Sequence, residues 1–171
     1  MLLTHRQDAQ FHGDPGKLSD VLLTEHDIYH FREGTFFRAY EKLGAHAATL
    51  GSSTGGTHFA VWAPNASAVS VIGDFNHWQR GRHRLVARND SSGIWEGVVE
   101  GVGPGALYKY HVVSRHGGDA VDKSDPYAFR AELPPRTASV VWDLAYQWQD
   151  REWMRRRAAT SRDGARRWTR G

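Results

Sequence analysis

Between Thr57 and Trp142 the chain is written in short runs whose side chains change character at every second residue, with clusters of Gly, Pro, Asn, Asp and Ser between them. An extended backbone turns successive side chains to opposite faces, so such runs suit half-buried strands and not helices, whose faces repeat every three to four residues. His58–Trp62 sets Phe59 and Val61 on one side and His58, Ala60 and Trp62 on the other, and Ala63-Pro64-Asn65 stops it. Ala68–Ile72 follows, with Val69 and Val71 sharing a face. Asn89-Asp90-Ser91-Ser92-Gly93 introduces Ile94–Val99, and Gly101–Gly105 leads to Leu107–Val113, which predicts a hairpin between those two strands. His116-Gly117-Gly118 turns into a fifth run near Asp119–Lys123, and Ala138–Trp142 is a sixth. Strands this short and this regularly punctuated predict an all-β sandwich.

Outside that stretch the period changes. Residues 1–21 are polar, are broken by Gly13-Asp14-Pro15-Gly16, and read as a flexible leader. Residues 22–50 read as a helical lead-in, in which Thr35 stands before Phe36, Phe37, Tyr40 and Leu43 on one helical face and Gly44 follows as a stop. Residues 51–146 then hold the sandwich. Residues 147–171 read as a basic helix and frayed tail, with Asp150 as N-cap of Arg151–Ala159.

The net charge of +3 hints at nucleic acid until its position is considered. Eight arginines in 151–171, against Glu152 and Asp163, leave +6 there and −3 in residues 1–150. No RNP, helix-turn-helix or zinc signature accompanies them, so a solvated basic tail is expected and no nucleic-acid partner. A content of 40% apolar and 12% aromatic residues, including seven Trp, favours a folded domain over a disordered chain. No apolar run approaches the roughly 18 residues of a membrane span, the start is too charged for a signal peptide, and cysteine is absent. A cytoplasmic protein without disulfides or a membrane partner is the expectation. Asn65-Ala66-Ser67 is a sequon best read as a turn.

Several of these segments are also specific words. THFAVWAPNASAVSVIGDFNHW (Thr57–Trp78) resembles the carbohydrate-binding module of family 48 that precedes the catalytic barrel in starch and glycogen branching and debranching enzymes. Upstream, LLTEHDIYHFREGTFFRAYEKLGAH (Leu22–His46) is similar to the lead-in of bacterial glycogen branching enzymes. Downstream, SGIWE, LYKYHV, KSDPYAF and PPRTASVV follow in that family's order, so the resemblance spans about 125 residues. It implies an immunoglobulin-like, early-set β-sandwich. It also implies an N-terminal module of a glycogen branching enzyme that positions α-glucan or braces the barrel. The alternative is an interaction domain that binds a protein partner and no sugar.

The resemblance also nominates a site. One face of a glucose unit carries C–H groups and its rim carries hydroxyls, so a flat aromatic and a few polar groups suffice to hold it. Trp78 stands where related glycogen-binding modules place a stacking Trp. Lys109, in Tyr108-Lys109-Tyr110, matches a position that hydrogen-bonds sugar hydroxyls there. Asn76 either adds an amide to the sugar or holds the turn that presents Trp78. The second Trp of the glycogen-sensing relatives is replaced by Asp122, and Pro135-Arg136 and Ser139 replace a Leu-bearing loop and an Asn. Weak glucan binding follows, with a separate barrel as the further partner.

Catalysis is not expected of this chain alone. The carboxylates of retaining glucan transfer lie on a (β/α)8 barrel beyond the module in that family, whereas this chain ends SRDGARRWTRG, which raises the reading of a truncated or frame-shifted branching enzyme. His26 and His30 have the i, i+4 spacing of a helical zinc pair but lack the Glu base and an obvious third ligand, so neither metal nor cofactor is assigned. Gly101–Gly105 precedes a strand and carries Pro104, so it reads as a hairpin turn and not a phosphate loop. Trp62, Trp95 and Trp142 fall on strands and read as core or sheet cover.

Overall fold

The computed structural model describes residues 18–50, 54–144 and 157. Two short helices, α1 (Leu18–Val21) and α2 (Glu25–Glu33), precede ten strands. These are β1 (Gly44–Leu50), β2 (Thr54–Trp62), β3 (Ala66–Gly73), β4 (His83–Arg84), β5 (Val86–Ala87), β6 (Ile94–Glu100), β7 (Leu107–Ser114), β8 (Ala120–Lys123), β9 (Arg130–Ala131) and β10 (Ser139–Val140). One antiparallel sheet runs β1-β2-β6-β5. The other runs β4-β3-β7-β10-β9, with β8 paired to the far half of β7. The immunoglobulin-like sandwich expected of the resemblance is what forms.

Alternation decides what each strand buries. Phe59 and Val61 of β2 meet Val69 and Val71 of β3 and Tyr108 and Tyr110 of β7 between the sheets, all nearly inaccessible to water. The Phe59 and Tyr108 rings meet edge to face with centroids 5.1 Å apart. Asp125 fastens one end of this core. Its carboxylate accepts from Tyr108 Oη at 2.5 Å, from Tyr110 Oη at 3.3 Å and from the Tyr127 amide at 2.8 Å. Burial pushes its pKa above the ordinary carboxylate value despite those donors, and burial beside that carboxylate pushes both tyrosines up as well.

The second face of β2 is buried as well. Ala60 of β2 and Ile94 of β6 pack under Leu23, Ile28, Ala39 and Leu43, so the lead-in covers the outside of the four-stranded sheet. Arg88 links the two parts, pairing with Asp90 at 2.6 Å, with Glu96, and with the Leu23 carbonyl at 3.4 Å. Lys42 holds α1 from the other side through the carbonyls of Asp20 (2.5 Å) and Leu22 (3.1 Å).

Four expectations need correction. The helix lies earlier than read. Thr24 and Asp27 form a reciprocal capping box that starts α2, and Gly34, left-handed at φ 71°, ends it. The Phe36–Leu43 stretch makes only a 3-10 turn at Ala39–Glu41, and Phe37 is 85% exposed. Gly44 does not stop a helix; it opens β1, which pairs with β2 along its whole length, so this part of the lead-in belongs to the sandwich. The fourth concerns β6 and β7, which are not a hairpin but lie in opposite sheets. Gly101–Gly105 carries the chain across the end of the sandwich. Val102 is buried there, and its carbonyl accepts from Thr57 Oγ1 at 2.8 Å. Within the leader, Leu18–Val21 is helical. The remainder of the leader lies outside the described residues, and so does the Arg151–Ala159 helix apart from Arg157.

Candidate functional site

Tyr108 and Tyr110 point into the core, so Lys109 between them points out, across the open face of the six-stranded sheet. A groove of about 770 Å³ lies there. Besides Lys109 it is lined by Ile72, Trp78, Arg80, Asp122, Glu132 and the 135–138 stretch.

The turn that carries Trp78 is built from Gly73 onward. A side chain at Gly73 would place its Cβ 2.2 Å from the Leu107 carbonyl and 2.4 Å from the Phe75 ring, so only glycine fits. Asp74 Oδ1 accepts from the Phe75 and Leu107 amides at 2.9 and 3.1 Å, pinning the turn to the start of β7. His77 and Trp78 then both take positive φ, 54° and 59°. Two consecutive non-glycine residues in that region need outside support, and Asn76 supplies it. Its Oδ1 accepts from the Gly73 amide at 2.9 Å, and its Nδ2 donates to the Val71 carbonyl at 3.0 Å and to His83 Nδ1 at 2.9 Å. Burial and the neighbouring Arg82 charge lower the basicity of His83, which favours the neutral ring that accepts this bond. The Trp78 amide closes the turn on the Gly73 carbonyl at 2.8 Å.

The three residues nominated from sequence therefore part company. Trp78, 39% exposed, and Lys109 line one groove. Asn76 does not. It is fully buried with its amide committed, and of the two roles open to it, it takes the one that holds the turn.

Lys109 donates to Thr137 Oγ1 at 2.8 Å, which aims its ammonium along the groove. Asp122 is bound from two sides, by Arg80 at 2.9 Å and by His111 Nδ1 at 2.7 Å. Burial works against its charge, and those hydrogen bonds outweigh burial and hold the carboxyl below its ordinary range. Glu132 accepts from the Ala138 amide at 3.2 Å and lies 3.6 Å from Arg136. One apolar platform thus faces a rim of paired donors and acceptors, an arrangement suited to a neutral polyol. Ser139, by contrast, is buried and accepts from the Asp125 amide at 2.9 Å.

Arg80, Glu132 and Thr137 were missed in the sequence. Arg80 follows Trp78 by two residues and could have been weighed, whereas Thr137 reaches Lys109 only through the pairing of β10 with β7.

A model of the family described as carbohydrate-binding module 48 (isoamylase N-terminal domain) matches residues 42–128, half of the chain. The chain belongs to the carbohydrate-binding module 48 family. Among relatives, it is 54% identical over 131 residues to the 1,4-alpha-glucan branching enzyme GlgB of Albidiferax ferrireducens, covering 77% of this chain and 20% of that enzyme. To GlgB of Synechococcus sp. strain JA-3-3Ab it is 55% identical over 137 residues, covering 80% of this chain and 17% of that enzyme. The chain thus spans about a fifth of these relatives, in their N-terminal region and short of their catalytic barrel. Among solved structures, a pullulanase of Klebsiella pneumoniae complexed with maltotriose is 27% identical, with a TM-score of 0.47, covering 64% of this chain and 10% of that one. Among the described residues, no helix of this family 48 module is long and apolar enough to cross a membrane.

Proposed function

We propose that this family 48 module holds α-glucan weakly in the groove between Trp78 and Lys109, as the N-terminal module of a glycogen branching enzyme whose chemistry lies on a barrel elsewhere. The observation that carries the reading is the half-exposed indole of Trp78 sharing a groove with the Lys109 ammonium and the Arg80–Asp122 pair. A sugar ring laid on the indole would bring its hydroxyls to those groups. The names of the relatives, 1,4-alpha-glucan branching enzymes, support the choice of ligand. Weakness follows from Asp122, an ion-paired carboxylate where glycogen-sensing relatives offer a second aromatic.

Native gel electrophoresis through glycogen tests this. The parent should be retarded, Trp78→Ala should run free, and Phe37→Ala, an exposed aromatic outside the groove, should match the parent. An unretarded parent, or a Trp78→Ala variant retarded equally, would overturn glucan binding at the groove. It would leave the second reading, a module that braces a protein partner. The exposed cluster of Tyr40, Phe129, Trp142 and Leu144 favours that reading.

A further inference from the structure

On α2, away from the groove, His26 and His30 turn their Nε2 atoms toward each other across 3.1 Å, with ring centroids 4.4 Å apart. Two lone pairs repel at that distance, and so do two N–H groups, so a proton or a cation has to sit between the nitrogens. Thr35 sets the state of one partner. Its hydroxyl donates to the His30 carbonyl at 3.4 Å, which leaves its oxygen to accept from His30 Nδ1 at 2.8 Å. That assigns the ring proton to Nδ1 and leaves the Nε2 lone pair of a neutral His30 facing His26. A polar group that orients the far nitrogen is what metal-bound histidines have. The backbone beneath is held at both ends, by the Thr24–Asp27 capping box and by Gly34.

We infer that His26 and His30 form a two-imidazole site for a divalent transition-metal ion of tetragonal preference, copper(II) or nickel(II), with solvent in the remaining positions. Two imidazole nitrogens with solvent oxygens make the N,O set that copper(II) and nickel(II) take in tetragonal geometry, and Nε2 atoms 3.1 Å apart are close enough to become neighbouring ligands of one ion. Among the described residues no group of three or more His, Cys, Asp or Glu could hold a metal, so the site rests on these two imidazoles alone. Bridging successive turns, the ion favours the helix whose Ile28 covers the four-stranded sheet, so binding and lead-in stability are linked.

Calorimetric titration of the full chain with nickel(II) tests the inference, beside His26→Ala, His30→Ala and Thr35→Val. The parent should take up one equivalent that both histidine variants bind at least about tenfold more weakly, while Thr35→Val loses less. The parent should also melt higher with nickel(II) than without, and His26→Ala should not. Far-ultraviolet circular dichroism checks that each variant folds, and His26→Gln replaces any that does not. A parent that binds no nickel(II) up to 1 mM, or a His26 variant that binds as the parent does, overturns the site.

Discussion

Asn76 and Trp78 stand two positions apart in one turn and do different work. Removing the Asn76 amide leaves the Gly73 amide and the Val71 carbonyl without their partner inside the fold. Asn76→Ala should therefore cost about 2 kcal/mol of stability and weaken glycogen retardation, because the paired left-handed residues beyond it lose their support. Trp78→Ala should abolish retardation with little change in the urea midpoint. Combined denaturation and gel measurements separate the two. The motif in the sequence announced Trp78 as a platform, but it could not say which way the neighbouring amide turned. That depends on Val71 and His83, which the fold brings round it. Lys109 was legible through the resemblance, and the structure supplies the physical reason for its position: strand alternation with two core tyrosines turns it outward. Its partner Thr137 was not, because a contact spanning 28 residues is made by strand pairing and leaves no local trace.

Helix α2 shows how local signals and face patterns can compete. The aromatic spacing of Phe36, Phe37, Tyr40 and Leu43 imitates an amphipathic helix, yet a left-handed Gly34 has already ended the helix before it. The better signals were the capping pair three residues apart, Thr24 and Asp27, and the glycine behind them. Thr24→Ala should lower stability by about 1 kcal/mol, read as a lower urea midpoint, with the glucan groove unaffected. Strand β1 was illegible because Gly44-Ala45-His46-Ala47-Ala48 lacks the branched and aromatic residues that mark strands; its pairing with β2 overrides weak propensity. The crossing from β6 to β7 was read as a hairpin because its glycines and proline serve either connection. The telling residue is Val102, an apolar side chain amid turn formers that is buried at the end of the sandwich. The runs at β2, β3, β6 and β7 were legible, since each turns apolar residues of one face into the core between the sheets.

Over the whole molecule, the carboxylates make stability depend on pH. Burial works to raise Asp90, but hydrogen bonds from Ser92 and Arg88 prevail and hold it to about 2. Glu96 and Asp122 are lowered in the same way. A carboxyl lowered by folding contributes stability above its ordinary range of about 4 and loses that contribution as pH falls through the folded value. Asp125, raised by burial, works in the opposite sense, and its effect falls above about pH 4, before that decline begins. The urea midpoint should therefore drop between about pH 4 and pH 2. The gap between parent and Asp90→Asn, open at pH 7, should shrink over the same interval; a gap as wide at about pH 2 as at pH 7 would show that the charge of Asp90 is not its cause.

The covering of β2 on both faces bears on how such a module can pass from one protein to another. A recombination that cut at the glycine-rich break before Thr57 would carry off a sheet with Ala60 and Ile94 stripped of their cover, and it would discard β1 as well. The piece that can be inherited as a unit begins ahead of Leu23. The apparent preamble therefore travels with the sandwich as part of its body, and a new neighbour has to be joined outside it.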